Sequence, residues 1–257
     1  MPSSPFSLAR RLRAGETVHT GWCGLGVPIV AEAIARAGFP AVTLDQQHGL
    51  YTMDSTAAGI AAVHQAASAP VVRVPLGDFA VVSRILDFGA EGVIAPMINT
   101  AQDARLFAAA AKYPPLGERS SGPLRALMLN NMEIADYVGN ANDMVVTFAM
   151  IETRKALSNL AAILATPGID AVFVGPSDLS LALTDGKTLD PHSREVDAAV
   201  GEIGAAAKAA GKIAGAYTAY AERANELAVR GFRFLAVASD LGFLRAGIAA
   251  TWKALQR

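Results

Sequence analysis

The sequence predicts a single-domain (β/α)8 TIM barrel, in which eight parallel strands are each followed by an outer helix. Short apolar runs alternate with alanine-rich amphipathic segments, and eight such strand–helix units follow one another along the chain. The strands are almost continuously apolar, as expected for a parallel sheet covered on both faces. The 257 residues also match one closed barrel, which needs about 250 residues.

The predicted elements follow a regular order. The strands are expected at 18–23, 41–44, 71–74, 92–95, 144–151, 171–174, 213–216 and 232–237. The helices are expected at 27–37, 55–67, 79–88, 101–112, 154–165, 193–210, 221–230 and 241–253, where apolar residues recur at helical spacing. An open doubly wound sheet is the alternative, but no Gly-x-Gly-x-x-Gly turn follows the first strand.

Two segments depart from this pattern. An insertion at 113–142 contains prolines, Arg119 and a short polar helix. We expect it to cap a site or to contact another subunit, with an ordinary connection as the alternative. The last helix carries Phe243, Leu244 and Trp252 at helical spacing, and this apolar face either closes the barrel or contacts another subunit.

Composition excludes several classes of partner. Basic and acidic residues number 22 and 23, so the net charge gives no reason to expect nucleic acid or an anionic membrane. No apolar stretch of about 18 residues suggests a membrane span, and positions 1–13 lack the apolar segment of a signal peptide. The single cysteine, Cys23, fits a reducing compartment. We therefore expect a cytoplasmic protein that acts on a small molecule.

Polar residues end several apolar strands. The second strand breaks into Leu-Asp-Gln-Gln-His-Gly at 44–49. Acid, amide and imidazole groups are costly to bury without partners, so this strand end is expected to face a ligand. Asp45 and His48 capping the next turn is the alternative. Arg73, Glu152 and Asp178 follow other strands in the same way, which favours a shared site at one mouth of the barrel.

The residue types at these strand ends suggest a metal site. Glu152 and Asp178 follow the neighbouring fifth and sixth strands, and two carboxylates without a cysteine or histidine pair suit Mg²⁺, Mn²⁺ or Co²⁺. Each residue taken alone has an alternative interpretation, Glu152 as a carboxylate at a helix N-terminus and Asp178 as a turn residue. Arg73 ends an otherwise apolar strand and needs an anion, such as a carboxylate or an enolate. A Schiff-base mechanism is not favoured, because Lys212 precedes a strand and the other lysines lie on helices or loops.

Several motifs resemble those of one enzyme family. They are Gly-Trp at 21–22, Leu-Asp-x-x-His-Gly at 44–49, Pro-Val-Val-Arg-Val-Pro at 70–75, Leu-Asp-x-Gly-Ala at 86–90, Pro-Met at 96–97, Tyr-Pro-Pro-x-Gly-x-Arg at 113–119, Ile-Glu-Thr at 151–153 and Val-Gly-Pro-Ser-Asp-Leu-Ser at 174–180. Over essentially its whole length the chain resembles the HpcH/HpaI (4-hydroxy-2-oxoheptanedioate) aldolases, which are metal-dependent class II pyruvate aldolases. The resemblance implies reversible aldol addition of a 2-oxo acid, pyruvate or hydroxypyruvate, to an aldehyde.

The resemblance also implies roles for individual residues. Glu152 and Asp178 look like the metal ligands. Arg73 looks like the group that holds the oxygens of the keto acid, and His48 looks like the acid–base centre. The family resemblance further implies a homo-oligomer, a hexamer built as a trimer of dimers.

Other positions take supporting roles under the same resemblance. Asp45 and Asp87 look like electrostatic partners of the acid–base centre, and Asp87 of one subunit is expected to reach the site of another. Trp22 resembles the apolar wall beside the pyruvate methyl group. The backbone amides around Ser177 and Asp178 resemble the site for the substrate carboxylate.

One position departs from the family pattern. The family commonly has a glutamate where this chain has Gln47, so a neutral amide replaces one carboxylate on the metal and substrate side of the site. The presumed ligands are unaffected, but weaker metal binding is expected. A citrate-lyase-like acyl-thioester lyase and a non-catalytic keto-acid-binding barrel are the alternative functions.

Overall fold

The computed structural model describes residues 6–256, which fold as a closed barrel of parallel strands that pair in sequence order. The strands are Val18–Cys23 (β1), Ala41–Asp45 (β2), Ala69–Arg73 (β3), Gly92–Ala95 (β4), Val146–Ile151 (β5), Ala171–Val174 (β6), Ile213–Thr218 (β7) and Phe234–Ser239 (β8). The barrel closes where β8 pairs with β1. The predicted (β/α)8 TIM barrel is therefore confirmed.

The helices lie outside the barrel or at its ends. They are Ser7–Arg13 (α1), Pro28–Arg36 (α2), Met53–Gln65 (α3), Ala80–Asp87 (α4), Ala101–Ala111 (α5), Leu124–Asn130 (α6), Ile134–Met144 (α7), Arg154–Ser158 (α8), Leu160–Leu164 (α9), Pro176–Leu183 (α10), Arg194–Ala209 (α11), Ala221–Val229 (α12) and Asp240–Leu255 (α13). Local sequence sets several of their starts. Thr52 and Thr100 each form a capping box at the first turn of α3 and α5, which satisfies backbone N–H groups there.

Apart from shifts of a few residues at element ends, the observed elements differ from the prediction in four places. Strands β1, β4 and β6 match the prediction residue for residue. The pattern did not predict α1, and α10 lies where a polar loop was expected. The predicted helix 154–165 is split at Asn159 into α8 and α9, and the insertion contains two helices, α6 and α7, instead of one. Of positions 1–13, read above as lacking a signal peptide, residues 1–5 lie outside the described range.

Aromatic and aliphatic side chains fill the barrel. The ring centroids of Phe148 and Phe234 lie 4.6 Å apart, and Phe173 lies 6.1 Å from Phe234. Leu8 and Leu12 of α1 belong to the same buried cluster and close the N-terminal mouth of the barrel. The interior is therefore a packed core rather than a channel through the barrel.

The insertion joins α5 to the N-terminal end of β5. Arg119 anchors it, because its Nη2 donates to Asp87 Oδ1 at the end of α4 at 2.6 Å and to the hydroxyl of Tyr137 at 3.2 Å. The Arg119 guanidinium also lies 4.6 Å from the ring centroid of Tyr113. These contacts hold the insertion against the outside of the barrel.

The last helix packs against β1, β8 and α2 but leaves most of its apolar surface uncovered. Every residue from 241 to 256 is exposed, and the apolar Ile248 and Trp252 side chains are 59% and 62% exposed. A purely internal role for this helix is therefore not supported. None of the helices within residues 6–256 is long and apolar enough to cross a membrane.

Candidate active site

The C-terminal ends of the strands surround a cleft of about 230 Å³. It is lined by Trp22, His48, Arg73, Met150, Glu152, Phe173, Gly175, Pro176, Ser177, Asp178 and Tyr217. Most of the residues that the sequence predicted for the site are therefore brought together at one mouth of the barrel. The cleft has the size for a small substrate.

A buried ion pair joins the ends of β2 and β3. Arg73 donates from Nε to Asp45 Oδ1 at 2.9 Å and from Nη2 to Asp45 Oδ2 at 2.6 Å. Burial alone would raise the Asp45 pKa, but the hydrogen bonds and charge of Arg73 outweigh it, and the pKa is lowered. The anion that Arg73 requires is thus supplied by Asp45, and Nη1 is the nitrogen left for a ligand.

Trp22, at the end of β1, forms an apolar wall of the cleft. Its ring stacks on Phe173 at a centroid distance of 5.9 Å and meets Tyr217 edge-on at 5.5 Å. The indole N–H donates to Asp45 Oδ2 at 3.2 Å, and the Arg73 guanidinium lies 4.9 Å from the ring centroid. These contacts fix the ring beside the ion pair, and the small part of it that is exposed lines the cleft.

Glu152, directly after β5, is almost fully buried. Its Oε1 accepts a hydrogen bond from the Met97 N–H at 2.8 Å, whereas Oε2 is buried and has no hydrogen-bond partner among the described residues. Burial, with a smaller contribution from the Asp178 charge, raises the Glu152 pKa to about 7, although the Met97 hydrogen bond opposes the shift. A buried carboxylate oxygen without a partner is costly unless a ligand satisfies it.

Ser177 and Asp178 lie in the first turn of α10. Pro176 occupies the first helical position and Gly175 precedes it, a pattern typical of a helix start. A Cβ atom at Gly175 would overlap Glu152 Oε2, so glycine allows the carboxylate to lie against this turn. The turn therefore presents backbone N–H groups and the Asp178 carboxylate beside Glu152.

The loop after β2 is organised by Asp45. Its Oδ1 accepts from the backbone N–H of Gln47 at 3.0 Å and of His48 at 3.4 Å, so Asp45 holds the main chain at His48, not the imidazole. The His48 side chain is exposed at the cleft. Gln46 faces α3 and donates to Thr56, and the Oε1 atoms of both Gln46 and Gln47 are buried without a partner among residues 6–256.

Asp87 is not brought to the cleft of its own chain. It ends α4 and pairs with Arg119. Of the residues that line the cleft, Met150 and Phe173 were not predicted, because apolar positions inside strands give no signal that separates a cleft wall from the core. Tyr217, near the end of β7, also lines the cleft.

Comparison with known proteins agrees with this geometry. The family profile described as HpcH/HpaI aldolase/citrate lyase matches residues 21–246. The chain belongs to this family. The predicted family is confirmed, and the HpcH/HpaI chain described here is a carbon–carbon lyase of the aldolase type.

Individual relatives cover nearly the whole chain. A hydroxypyruvate/pyruvate aldolase of Rhizorhabdus wittichii is 38% identical over 90% of this chain and 91% of its own length. A 4-hydroxy-2-oxo-heptane-1,7-dioate aldolase of Salmonella dublin is 36% identical over 93% and 90%. The crystal structure of an HpcH/HpaI aldolase/citrate lyase family protein from Burkholderia cenocepacia has a TM-score of 0.89 at 30% identity, covering 98% of this chain and 99% of that one.

Proposed function

We propose that the chain is a divalent-metal-dependent aldolase. It adds a 2-oxo acid donor, pyruvate or hydroxypyruvate, reversibly to an aldehyde and yields 4-hydroxy-2-oxo acids. The observation that carries this proposal is the partnerless Oε2 of Glu152, buried beside Asp178 in a cleft that also contains Arg73. The named activities of the relatives support the choice of donor.

Glu152 and Asp178 fit a metal-binding role. No group of three or more His, Cys, Asp or Glu side chains within residues 6–256 is arranged to hold a metal ion, so the protein offers two carboxylates and leaves other positions to ligands. Hard oxygen ligands suit Mg²⁺, Mn²⁺ or Co²⁺. When bound, the cation supplies Lewis-acid polarisation of the 2-oxo acid.

The cleft can orient the donor without further machinery. The carboxylate of the donor fits the backbone N–H groups around Ser177 and Asp178, and the methyl group of the donor fits against Trp22. Arg73 Nη1 faces developing negative charge on the donor oxygen and stabilises it, because the guanidinium is already fixed by Asp45.

His48 is the proton carrier in this proposal. It is the one imidazole among the residues that line the cleft, and it is exposed there. It removes a proton from the donor methyl group and delivers a proton to the aldehyde oxygen as the new carbon–carbon bond forms, and both transfers run in reverse in cleavage. The backbone bond to Asp45 fixes the position of His48.

Two alternative chemistries receive less support. No lysine is among the cleft-lining residues of the described chain, so a Schiff base with the donor is disfavoured, and borohydride with pyruvate should trap no adduct. A thioester lyase gains no support from the named activities of the relatives above, which are 2-oxo acid aldolases. A non-catalytic keto-acid-binding barrel leaves the exposed His48 without a role.

The assembly is proposed to be a homo-oligomer, a hexamer built as a trimer of dimers. It is supported by α13, whose apolar side chains are exposed, and by an apolar groove between this helix and α2 that includes Ile29, Phe39 and Phe243. Asp87, which has no role in the cleft of its own chain, is proposed to serve a neighbouring subunit. We also propose a cytoplasmic location, supported by the single, buried Cys23.

The proposal is tested by chelation and by donor-proton exchange in D₂O. Exhaustive chelation should abolish aldol turnover and exchange of the pyruvate methyl protons, and Mg²⁺, Mn²⁺ or Co²⁺ should restore both. Glu152→Ala and Asp178→Ala should remove Mn²⁺ binding while the far-ultraviolet circular dichroism stays unchanged. Full activity after chelation would overturn the metal assignment, and absence of exchange with metal present would indicate a binding protein.

A further inference from the structure

The main chain at Met97 adopts a left-handed conformation directly beside Glu152. Met97 follows β4 and has φ +54°, which is unfavourable for a residue with a Cβ atom. In this conformation its N–H points at Glu152 and donates to Oε1 at 2.8 Å. A strained turn therefore supplies the hydrogen bond that fixes one oxygen of this carboxylate.

Asn99 holds this turn from two sides. Its Nδ2 donates to the Met97 carbonyl at 2.9 Å, and its Oδ1 accepts from the Thr153 hydroxyl, next to Glu152 in sequence. Its own main chain is held by Asn159, which donates to the Asn99 carbonyl at 2.9 Å, and by Asp103, which accepts from the Asn99 N–H at 3.0 Å. Asn99 thus ties the loop after β4 to the end of β5.

The other oxygen of Glu152 has little freedom. Oε2 is buried against Gly175, where any Cβ atom would overlap it, and it has no hydrogen-bond partner within the described part of the chain. Rotation of the carboxylate would break the Met97 hydrogen bond. The direction of Oε2 therefore depends on the Met97 turn.

We propose that Asn99 is a positioning residue for the metal ligand Glu152. By keeping Met97 left-handed it fixes Oε1 and directs Oε2 towards the cation. Asn99 is not among the residues that line the cleft, so it acts through Met97 and Glu152 without touching the substrate. The inference rests on the proposed function, because it requires a divalent cation at Glu152 and Asp178.

The test is the affinity for Mn²⁺, measured by calorimetric titration without substrate. Asn99→Ala should weaken Mn²⁺ binding about ten- to a hundredfold, the usual effect of removing a group that orients a metal ligand. Asn142→Ala is the matched control. Asn142 donates to the Tyr113 carbonyl at 3.0 Å and accepts from the Tyr113 N–H at 2.7 Å, near the N-terminal mouth, and its loss should leave Mn²⁺ affinity unchanged.

A second substitution separates positioning from general support. Glycine adopts a positive φ without a Cβ penalty and keeps the N–H group. Met97→Gly in the Asn99→Ala background should therefore restore Mn²⁺ affinity to within about threefold of the wild-type value. If Asn99→Ala does not fold, Asn99→Leu keeps a side chain of similar size and adds no charge but removes the donor to Met97, and it should show the same weakening.

The outcomes distinguish the two proposals. Wild-type Mn²⁺ affinity in a folded Asn99→Ala or Asn99→Leu variant overturns the positioning role and leaves the proposed function intact. Weakening without any rescue by Met97→Gly also overturns it, because Asn99 would then act by another route. If the wild-type chain binds Mn²⁺ no more tightly than Glu152→Ala, the metal assignment itself fails.

Discussion

Each mouth of the barrel contains a buried glutamate whose pKa burial raises to about 7, Glu91 at the N-terminal mouth and Glu152 at the C-terminal mouth. Glu91 accepts the N–H of Leu8 at 2.8 Å, and α1 covers it. Glu152 accepts one N–H and keeps one oxygen without a partner in the described chain. At the N-terminal mouth, α1 covers Glu91 and gives this glutamate a structural role. No such helix in the part of the chain that the structure describes covers Glu152 at the C-terminal mouth, so its carboxylate is available to a ligand.

The ion pairs at the two mouths differ in the same way. Lys112 donates to Asp170 at 2.6 Å and to the carbonyls of Asn142 and Val145 at 2.8 Å each, so all three of its protons are used. Arg73 donates to Asp45 from Nε and Nη2, which leaves Nη1 without a partner among the described residues. Lys112, whose donors are all used, supports the fold, whereas Arg73 lies beside the cleft with a donor group left to bind a ligand.

Changing Arg73 should have the largest effect on activity. Arg73→Lys keeps the charge but loses the planar fork, so it cannot hold both Asp45 oxygens and a ligand together. We expect kcat/KM for aldol turnover to fall by about one to three decades, or roughly 1.4–4 kcal/mol, in steady-state assays. A decrease of less than about twofold would show that Arg73 provides only a counter-charge.

The corresponding change at the closed mouth should affect stability instead. Lys112→Met removes one partner of a pair in which the lysine side chain is 1% exposed and that of Asp170 21%. We expect the free energy of unfolding in urea to fall by about 3 kcal/mol. Turnover per folded molecule should be unchanged, and a matching loss of kcat would mean that the two mouths are coupled.

The raised pKa of Glu91 predicts a pH dependence of stability. Because its folded-state pKa of about 7 lies above the ordinary value of 4.5, the folded chain holds this proton more tightly. The resulting stabilisation is complete below the ordinary pKa and is lost as the pH rises through 7. Between pH 5 and 7 the wild-type chain should lose about 2 kcal/mol relative to Glu91→Gln. If the free energy of unfolding changes with pH by the same amount in both proteins across this range, the prediction is wrong.

The sequence predicted the open mouth better than the closed one. Asp45, Arg73, Glu152 and Asp178 stand out because each interrupts an apolar strand pattern, and such interruptions cluster where parallel strands end. Glu91 and Lys112 give no comparable signal, since they lie at a strand start and a helix end, where charged residues are ordinary. Their burial depends on what covers them.

Other features also depend on tertiary contacts. The left-handed turn at Met97 cannot be predicted from a residue that rarely adopts that conformation. The exposure of α13 could not be predicted from the sequence either, because an apolar helix face has the same pattern whether it covers its own barrel or another chain. Short apolar strands such as β4 and β6 were predicted to the residue, since burial on both faces leaves few alternatives.

The smallest expected effect comes from adding a carboxylate to the open mouth. Gln47 lies in the loop held by Asp45, and its Oε1 is buried without a partner among residues 6–256. Gln47→Glu adds a negative charge next to His48, which lines the cleft, so Mn²⁺ should bind about three- to tenfold more tightly. Without metal, the same charge lacks a counter-ion and should lower the melting temperature.

Gln46→Glu is the matched control, because Gln46 faces α3 and donates to Thr56 at 2.9 Å. The stabilisation by Mn²⁺, measured as the shift in melting temperature, should therefore grow in Gln47→Glu and not in Gln46→Glu. Equal shifts in both variants would mean that the residue 47 side chain does not face the cation, and the loop after β2 would then serve the site only through His48.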